Sequence, residues 1–381
     1  MPEKTYCKCC YRNLPPEPVL QYHNMPKSAQ YFPDAYNMNE ETGVDIIIYE
    51  CRYCGLLQTA GEPVPYYRDV IRATGVSEEM RKFRVEQFGQ WVEENNLKGK
   101  KVIEIGCGKG EYMTFFEGLQ TSVTGLEHLN ESIVFAKGNG HNVVEGFIED
   151  DLYKIPGAPF DAFYSINFLE HIPNQGAFLS GIANNLKENA VGIVEVPNFN
   201  MILEKSLYSE FVQDHLMYFT IQTLRSMLEL NGFEVLECKE IWYRYILSAK
   251  VRKRSSVKVD KFEQQLQSMK NEVNQYLSNM LKNGHVVAGW GAGHQALANL
   301  SLLQIDSKIK YIIDSAPFKQ NKYTPATHIP VVAPEILSKG EVTAVIIMAA
   351  GYSDEIKNII SDKYPDICIS IVREDGLEVV K

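Results

Sequence analysis

Apolar and polar positions change rhythm three times along the chain. Residues 1 to 62 carry one clear alternating run, at 45–49, among Cys, Pro, Tyr and Asn. Six prolines in the first 33 residues disfavour long helices there. From 63 to about 246, short apolar runs alternate with helical patterns. The pattern predicts a charged helix over 77–95 and strands at 101–105, 122–126, 162–166, 192–196 and 235–243. A basic stretch at 249–260 reads as a solvated connector, and a polar helix is expected over 261–283. The same alternation then returns, with strands at 286–289, 309–313, 344–348 and 367–372. Strands alternating with helices imply mostly parallel sheets covered on both faces. The expected architecture is therefore α/β in three domains, 1–62, 63–246 and 247–381.

Composition narrows the partners. At 381 residues and 45% apolar, the chain can bury cores for two or three domains. A net charge of −10 does not suit a general nucleic-acid binder, because neutralising phosphates takes an excess of Lys and Arg. No run of 18 apolar residues is present to span a membrane, and the first residues lack the apolar stretch of a signal peptide. A cytoplasmic location is expected, and there eight cysteines argue against a disulfide scaffold.

Four of those cysteines form two CxxC pairs, Cys7/Cys10 and Cys51/Cys54. Two thiolates three residues apart on a tight turn can face one ion, so the pairs predict a structural tetrahedral zinc. Gly55 suits the turn such a knuckle needs, and Cys9 reads as a bystander. Four thiolates leave no open coordination position. The ion's expected role is to support a domain too small and irregular for a core of its own.

The segment KKVIEIGCGKGEY, 100–112, runs from a strand through Gly106, Gly108 and Gly110 into an expected helix at 111–117. Glycines there let backbone approach a ligand at the carboxyl edge of a sheet. Such a loop alone also fits nicotinamide enzymes. Three acids favour S-adenosylmethionine: Glu104 within the strand, expected to face the ligand's ammonium; Glu127 at the end of the next strand, suited to ribose hydroxyls; and Asp150 or Asp151 after the third, where adenine would lie. Two histidines, His171 and His215, fall on loops expected at the same edge. Each is either a satisfied structural side chain or a general base with its pKa near neutrality. Tyr66 and Tyr67 either cover the pocket or pack.

The order of parts resembles the three-domain sugar C-methyltransferase family, whose members methylate C3 of nucleotide-linked 4-keto-deoxysugars. The marks are the cysteine pairs, EIGCGKG, the GWGAG loop at 289–293, and KYTPATHIPV with Asp314 upstream. The resemblance covers essentially the whole chain. It implies a class I, Rossmann-like methyltransferase domain between a zinc domain and a C-terminal Rossmann-like domain that helps bind a nucleotide-linked sugar. It also implies a base that removes the C3 proton, so that the resulting enolate carbon takes the methyl group. The family's Tyr-His-Glu-His motif aligns with Val212, Gln213, Asp214 and His215, so His215 is the expected base with Asp214 as its partner, and His171 binds or polarises substrate. The missing Tyr and first His, and His294 and Gln295 where a Lys is common, put the acceptor in question. Lys205, Lys319 and Lys322 are candidate cations for an anionic acceptor. O- or N-methylation, C-methylation of a non-sugar acceptor, and a non-catalytic S-adenosylmethionine-bound interaction protein stay open as alternatives.

Overall fold

The computed structural model describes residues 5–27, 32–68 and 76–381, in two compact units that divide after Ser255. The first unit runs β1 (Leu20–Met25), β2 (Val44–Glu50), β3 (Leu57–Thr59), α1 (Glu78–Glu94), β4 (Lys101–Ile105), β5 (Ser122–Glu127), α2 (Asn130–Gly138), β6 (Val143–Glu145), β7 (Phe160–Ile166), α3 (Gln175–Asn184), β8 (Leu186–Pro197), α4 (Phe199–Glu204), β9 (Met217–Tyr218), α5 (Ile221–Leu230), β10 (Phe233–Ile241) and β11 (Ile246–Lys253).

The central sheet has the order β10-β11-β8-β7-β4-β5-β6. β8, β7, β4, β5 and β6 pair in parallel, while β11 runs antiparallel to both its neighbours. The chain leaves β4 for β5 on one side and reaches β7 on the other, so the crevice at the carboxyl ends of β4 and β7 is where such a sheet binds ligands. Successive side chains of β7 show how both faces become core. Phe163 packs into one cluster with Ile103 and Phe233, and Tyr164 into another with Phe88, Phe116 and Trp91.

Helix α1 covers the second face. Ser77 caps it by accepting from the Met80 amide, and Arg84, Phe88, Trp91 and Val92 recur at helical spacing on its buried side. The start of the basic stretch is not a connector: 249–253 lies within β11, between β8 and β10, with Ala249 and Val251 fully buried. Lys250 and Arg252 alternate to the other side, where they meet Glu94 and Glu234. Charge at every second position disguised a strand.

The helix expected at 111–117 is only a 3-10 turn, Met113–Phe116. Tyr112, Met113, Phe115 and Phe116 are buried, but the backbone turns extended at Glu117 (φ −57°, ψ 128°) and Gly118 at φ +81° ends the turn.

A smaller sheet, β1-β2-β3-β9, carries the cysteine pairs. Its last strand comes from far along the chain: Leu57 pairs with Tyr218 and Gln58 with Met217.

The second unit runs α6 (Asp260–Lys282), β12 (Val287–Trp290), α7 (His294–Leu303), β13 (Tyr311–Ile313), β14 (Lys322–Tyr323), β15 (Pro330–Val332), β16 (Ala344–Ile347), α8 (Ser353–Lys363), β17 (Cys368–Val372) and β18 (Leu377–Val379). Its sheet is ordered β14-β15-β13-β12-β16-β17-β18, parallel except at the two edge strands. This is again a doubly wound α/β layout. Among the described residues, no helix is long and apolar enough to cross a membrane.

Candidate active site

The glycine loop follows β4 with Gly106, Gly108 and Gly110 at φ +75°, +55° and +83°, where L side chains are strained. A Cβ on Gly106 would stand 2.9 Å from Phe168. Glu127, at the end of β5, is buried and closes the loop. One carboxylate oxygen accepts from the Gly108 amide at 2.8 Å, the other from His128 and Leu129 at 2.9 and 2.8 Å. Glu104 is buried inside β4, where the Tyr164 hydroxyl donates to it at 3.0 Å. A small cavity beside the loop is lined by Gly106, Glu127, His128, Phe147, Ile148 and Phe168, with Arg68 across it. The Arg68 guanidinium lies 5.3 Å over the Phe147 ring and pairs with Glu149 at 2.7 Å. Asp150 is not part of this lining. Its carboxylate turns back on its own loop to accept from the Leu152 amide, so the third strand offers Phe147 and Ile148 to the cavity instead. A crevice with two buried carboxylates and a glycine-rich loop fits a cationic adenosyl cofactor such as S-adenosylmethionine.

The histidine loops meet at the same edge. His171 ends a 3-10 turn, Leu169–His171, after β7, and His215 precedes β9. Their rings stand edge to face, with centroids 4.9 Å apart. The His171 Nδ1 lies 2.8 Å from the carbonyl oxygen of Asp214. A carbonyl only accepts, so Nδ1 carries the proton and Nε2 keeps its lone pair in the neutral ring. Burial, and then the nearby His171, push the pKa of His215 down to about 3. The ring is therefore neutral at pH 7.

Asp214 is not hydrogen-bonded to the His215 ring. Its carboxylate accepts from the Tyr66 hydroxyl at 2.7 Å, while its main chain orients His171. Tyr66 thus packs and bonds at once. Tyr67 meets Phe147 edge-on at 5.9 Å. Sequence reasoning also passed over Glu170, 1% exposed and beside His171; an acid next to a candidate histidine was the available signal.

The cysteine pairs converge. Cys7 Sγ lies 3.5 Å from Cys54 Sγ and Cys10 Sγ lies 3.6 Å from Cys51 Sγ, with all four within 4.8 Å of one another. Tetrahedral zinc with bonds of about 2.3 Å needs sulfurs about 3.8 Å apart, so the set fits. The two knuckles share one turn: Tyr11 N donates to Cys7 O, and Gly55 N to Cys51 O. Both turns end at positive φ, +59° at Tyr11 and +78° at Gly55.

In the second unit, the GWGAG loop repeats the logic of the first. Asp314, just after β13, accepts from the Ala292 amide at 2.8 Å, as Glu127 does from Gly108. Lys319 is engaged there too, 2.9 Å from Asp314, whereas Lys322 is exposed on β14 and Lys205 lies 5.9 Å from the Tyr245 ring in the first unit.

A family model described as a methyltransferase domain matches residues 75–238, and one described as a C-methyltransferase C-terminal domain matches 249–364. The C-methyltransferase NovU of Streptomyces niveus is 22% identical over 375 residues, which is 89% of this chain and 88% of that protein. The chain is an S-adenosylmethionine-dependent methyltransferase, similar along most of its length to a C-methyltransferase. Other relatives of this methyltransferase match over less. A ubiquinone biosynthesis O-methyltransferase of Glaesserella parasuis is 28% identical over 114 residues, 27% of this chain and 48% of that one. A solved S-adenosylmethionine-dependent methyltransferase from Clostridium acetobutylicum is 13% identical with a TM-score of 0.40, covering 46% of this chain and 92% of that chain.

Proposed function

We propose that this methyltransferase methylates a carbon next to a ketone, on a keto-deoxysugar carried by a nucleotide. The observation that carries the reading is the neutral His215 edge to face with an oriented His171 at the edge that also holds the glycine loop and Glu127. The similarity to NovU along both chains supports carbon as the acceptor, because the O-methyltransferase relative matches over a shorter region.

In this reading, Gly106, Gly108 and Gly110 bring backbone against the cofactor, with Glu127 on its ribose and Glu104 toward its ammonium. S-adenosylmethionine supplies an electrophilic methyl group. His215 takes the proton from the carbon next to the ketone, and the C–H electron pair becomes the enolate. The enolate carbon forms the new C–C bond while the C–S pair leaves with sulfur. His171 positions the acceptor, and Asp214, anchored by Tyr66, sets the His171 ring. The lowered pKa leaves the His215 ring neutral before reaction. Cys7, Cys10, Cys51 and Cys54 hold a structural zinc. Lys205 offers charge to the acceptor's phosphates.

The test uses protein saturated with S-adenosylhomocysteine in D2O and a thymidine-diphosphate-linked 4-keto-deoxysugar. Loss of the C3 proton signal by NMR, absent in His215→Asn, is expected before any methyl transfer. Adding S-adenosylmethionine should then give a new methyl resonance coupled to C3. Neither exchange nor methylation would move the search to other carriers and to hydroxyl acceptors.

A further inference from the structure

Glu170 is 1% exposed, and neither of its carboxyl oxygens has a hydrogen-bond partner. Leaving a buried carboxyl without a partner is costly, and native structures rarely do it without a use. Its Oε1 points to His171 Nε2, 3.8 Å away. That nitrogen carries a lone pair, since the Asp214 carbonyl holds the proton on Nδ1. A ring held by a backbone carbonyl, with its other nitrogen free, is the arrangement of a metal-binding histidine. The His215 ring stands edge to face with His171, and one ligand atom from each of the three residues lies within 4.8 Å of the others.

We propose that Glu170, His171 and His215 form a second metal site, for a divalent transition ion such as zinc or cobalt, separate from the cysteine cluster. Bonds of about 2.0–2.2 Å would bring the ligand atoms to about 3.4 Å from one another, a closure that side-chain rotation supplies. Two imidazoles and one carboxylate leave a coordination position open. The His171 side chain, 25% exposed, gives the ion a route in. The main-chain bond from Leu216 N to Glu170 O, 2.9 Å, holds the two ligand loops together without an ion, so little ordering is needed on binding. Nitrogen and oxygen donors separate this site from the sulfur site in the ions they favour. Resting on the reading of His215 as the base, the consequence is inhibition. The ion occupies the lone pair that must accept the substrate proton.

The test starts from zinc-loaded full-length protein freed of loosely bound metal, titrated with Co2+ and followed by visible absorption. One further cobalt per chain is expected, with ligand-field bands but no intense thiolate-to-cobalt band. Glu170→Gln and His215→Ala should each weaken binding by about ten-fold or more, with near-UV circular dichroism confirming that both variants fold. No absorption change at millimolar cobalt, a thiolate band, or wild-type affinity in folded Glu170→Gln would each overturn the site. The readout does not use turnover, so the two readings fail separately. Cobalt binding alongside a fully active His215→Asn keeps the metal site and removes the base. No binding alongside an inactive His215→Asn does the reverse.

Discussion

The backbone amide of Leu216 donates to the carbonyl oxygen of Glu170 at 2.9 Å, and its own carbonyl accepts from the Thr59 amide at 3.0 Å. One residue therefore ties the His215 segment both to the His171 loop and to the small sheet, only a few residues beyond Cys54. If the cysteines hold zinc as proposed, removing it should loosen the knuckle that feeds β3, and with it the strand pairing that holds 217–218. Chelation, or Cys51→Ser, should speed amide hydrogen exchange at 216–218 and slow methyl transfer, while S-adenosylhomocysteine affinity changes little. Unchanged exchange there after zinc loss would separate the sheet from the site.

Substituting His215 should show in rate and in pH dependence. His215→Asn is expected to lower methyl transfer by about two orders of magnitude or more, the usual reach of a positioned base. For stability, the signs of two neighbours oppose. The unfolded chain protonates His215 near 6.5, and the native chain only near 3, so the unfolded state binds more protons between these values. Stability on this account falls as pH drops through that window. Burial raises the Glu170 pKa above its ordinary 4.5, with His171 opposing in part, so the native state there holds its proton longer. Its contribution is full below 4.5 and is lost as pH rises through the folded value. Urea melts across pH should show a flatter acid limb in His215→Asn, and greater stability at pH 8 in Glu170→Gln.

How much of this was legible in sequence depends on the physical signal each part leaves. CxxC pairs and a strand running into EIGCGKG are local, and both knuckles and the glycine loop stand where their spacing put them. β11 was hidden because Lys250 and Arg252 lie on the polar side of a strand whose other side, Ala249 and Val251, is core. The 3-10 turn after the loop was hidden because MTFF carries apolar spacing that suits a helix, and only the backbone at Glu117 and Gly118 stops it. In the active site, His171 and His215 were readable as candidates, but not the bonds that orient them. Asp214 aims its main chain at His171 and its side chain at Tyr66, 148 residues away, and only tertiary structure specifies such a contact. The Asp150 reading missed because an acidic side chain two residues before an amide can satisfy itself locally, as it does with Leu152.

Gly106→Ala tests the loop. At φ +75° an alanine costs about 1–2 kcal/mol in backbone strain alone. Its Cβ would also meet Phe168 at 2.9 Å. Phe168 cannot step aside, being 3% exposed and wedged edge-on between Phe178 and Phe147 at 5.8 and 6.3 Å. Calorimetry should show S-adenosylhomocysteine binding weakened by about ten-fold or more, because a loop displaced to relieve the clash no longer brings its backbone to the ligand. Near-normal affinity would mean that the loop yields elsewhere and that Gly106 does not face the cofactor.

The buried pair Arg84–Glu195 tests what holds the sheet under the site. The two side chains are fully buried and 2.6 Å apart. Glu195 also accepts from Gln87 at 2.6 Å and Ser248 at 2.9 Å, joining α1, β8 and β11. Its carbonyl takes the Asn167 amide at 2.8 Å, where the chain leaves β7 for the His171 loop. Arg84→Met alone strands a buried carboxylate and should cost about 3–5 kcal/mol in denaturant melts. Arg84→Met with Glu195→Gln removes both charges and should recover most of that loss, since an ion pair taken out whole leaves no uncompensated charge. If the double variant is as unstable as the single one, the network acts through its geometry rather than its charge. Methyl transfer should then fall in both variants, because the Asn167 turn that delivers His171 would have moved.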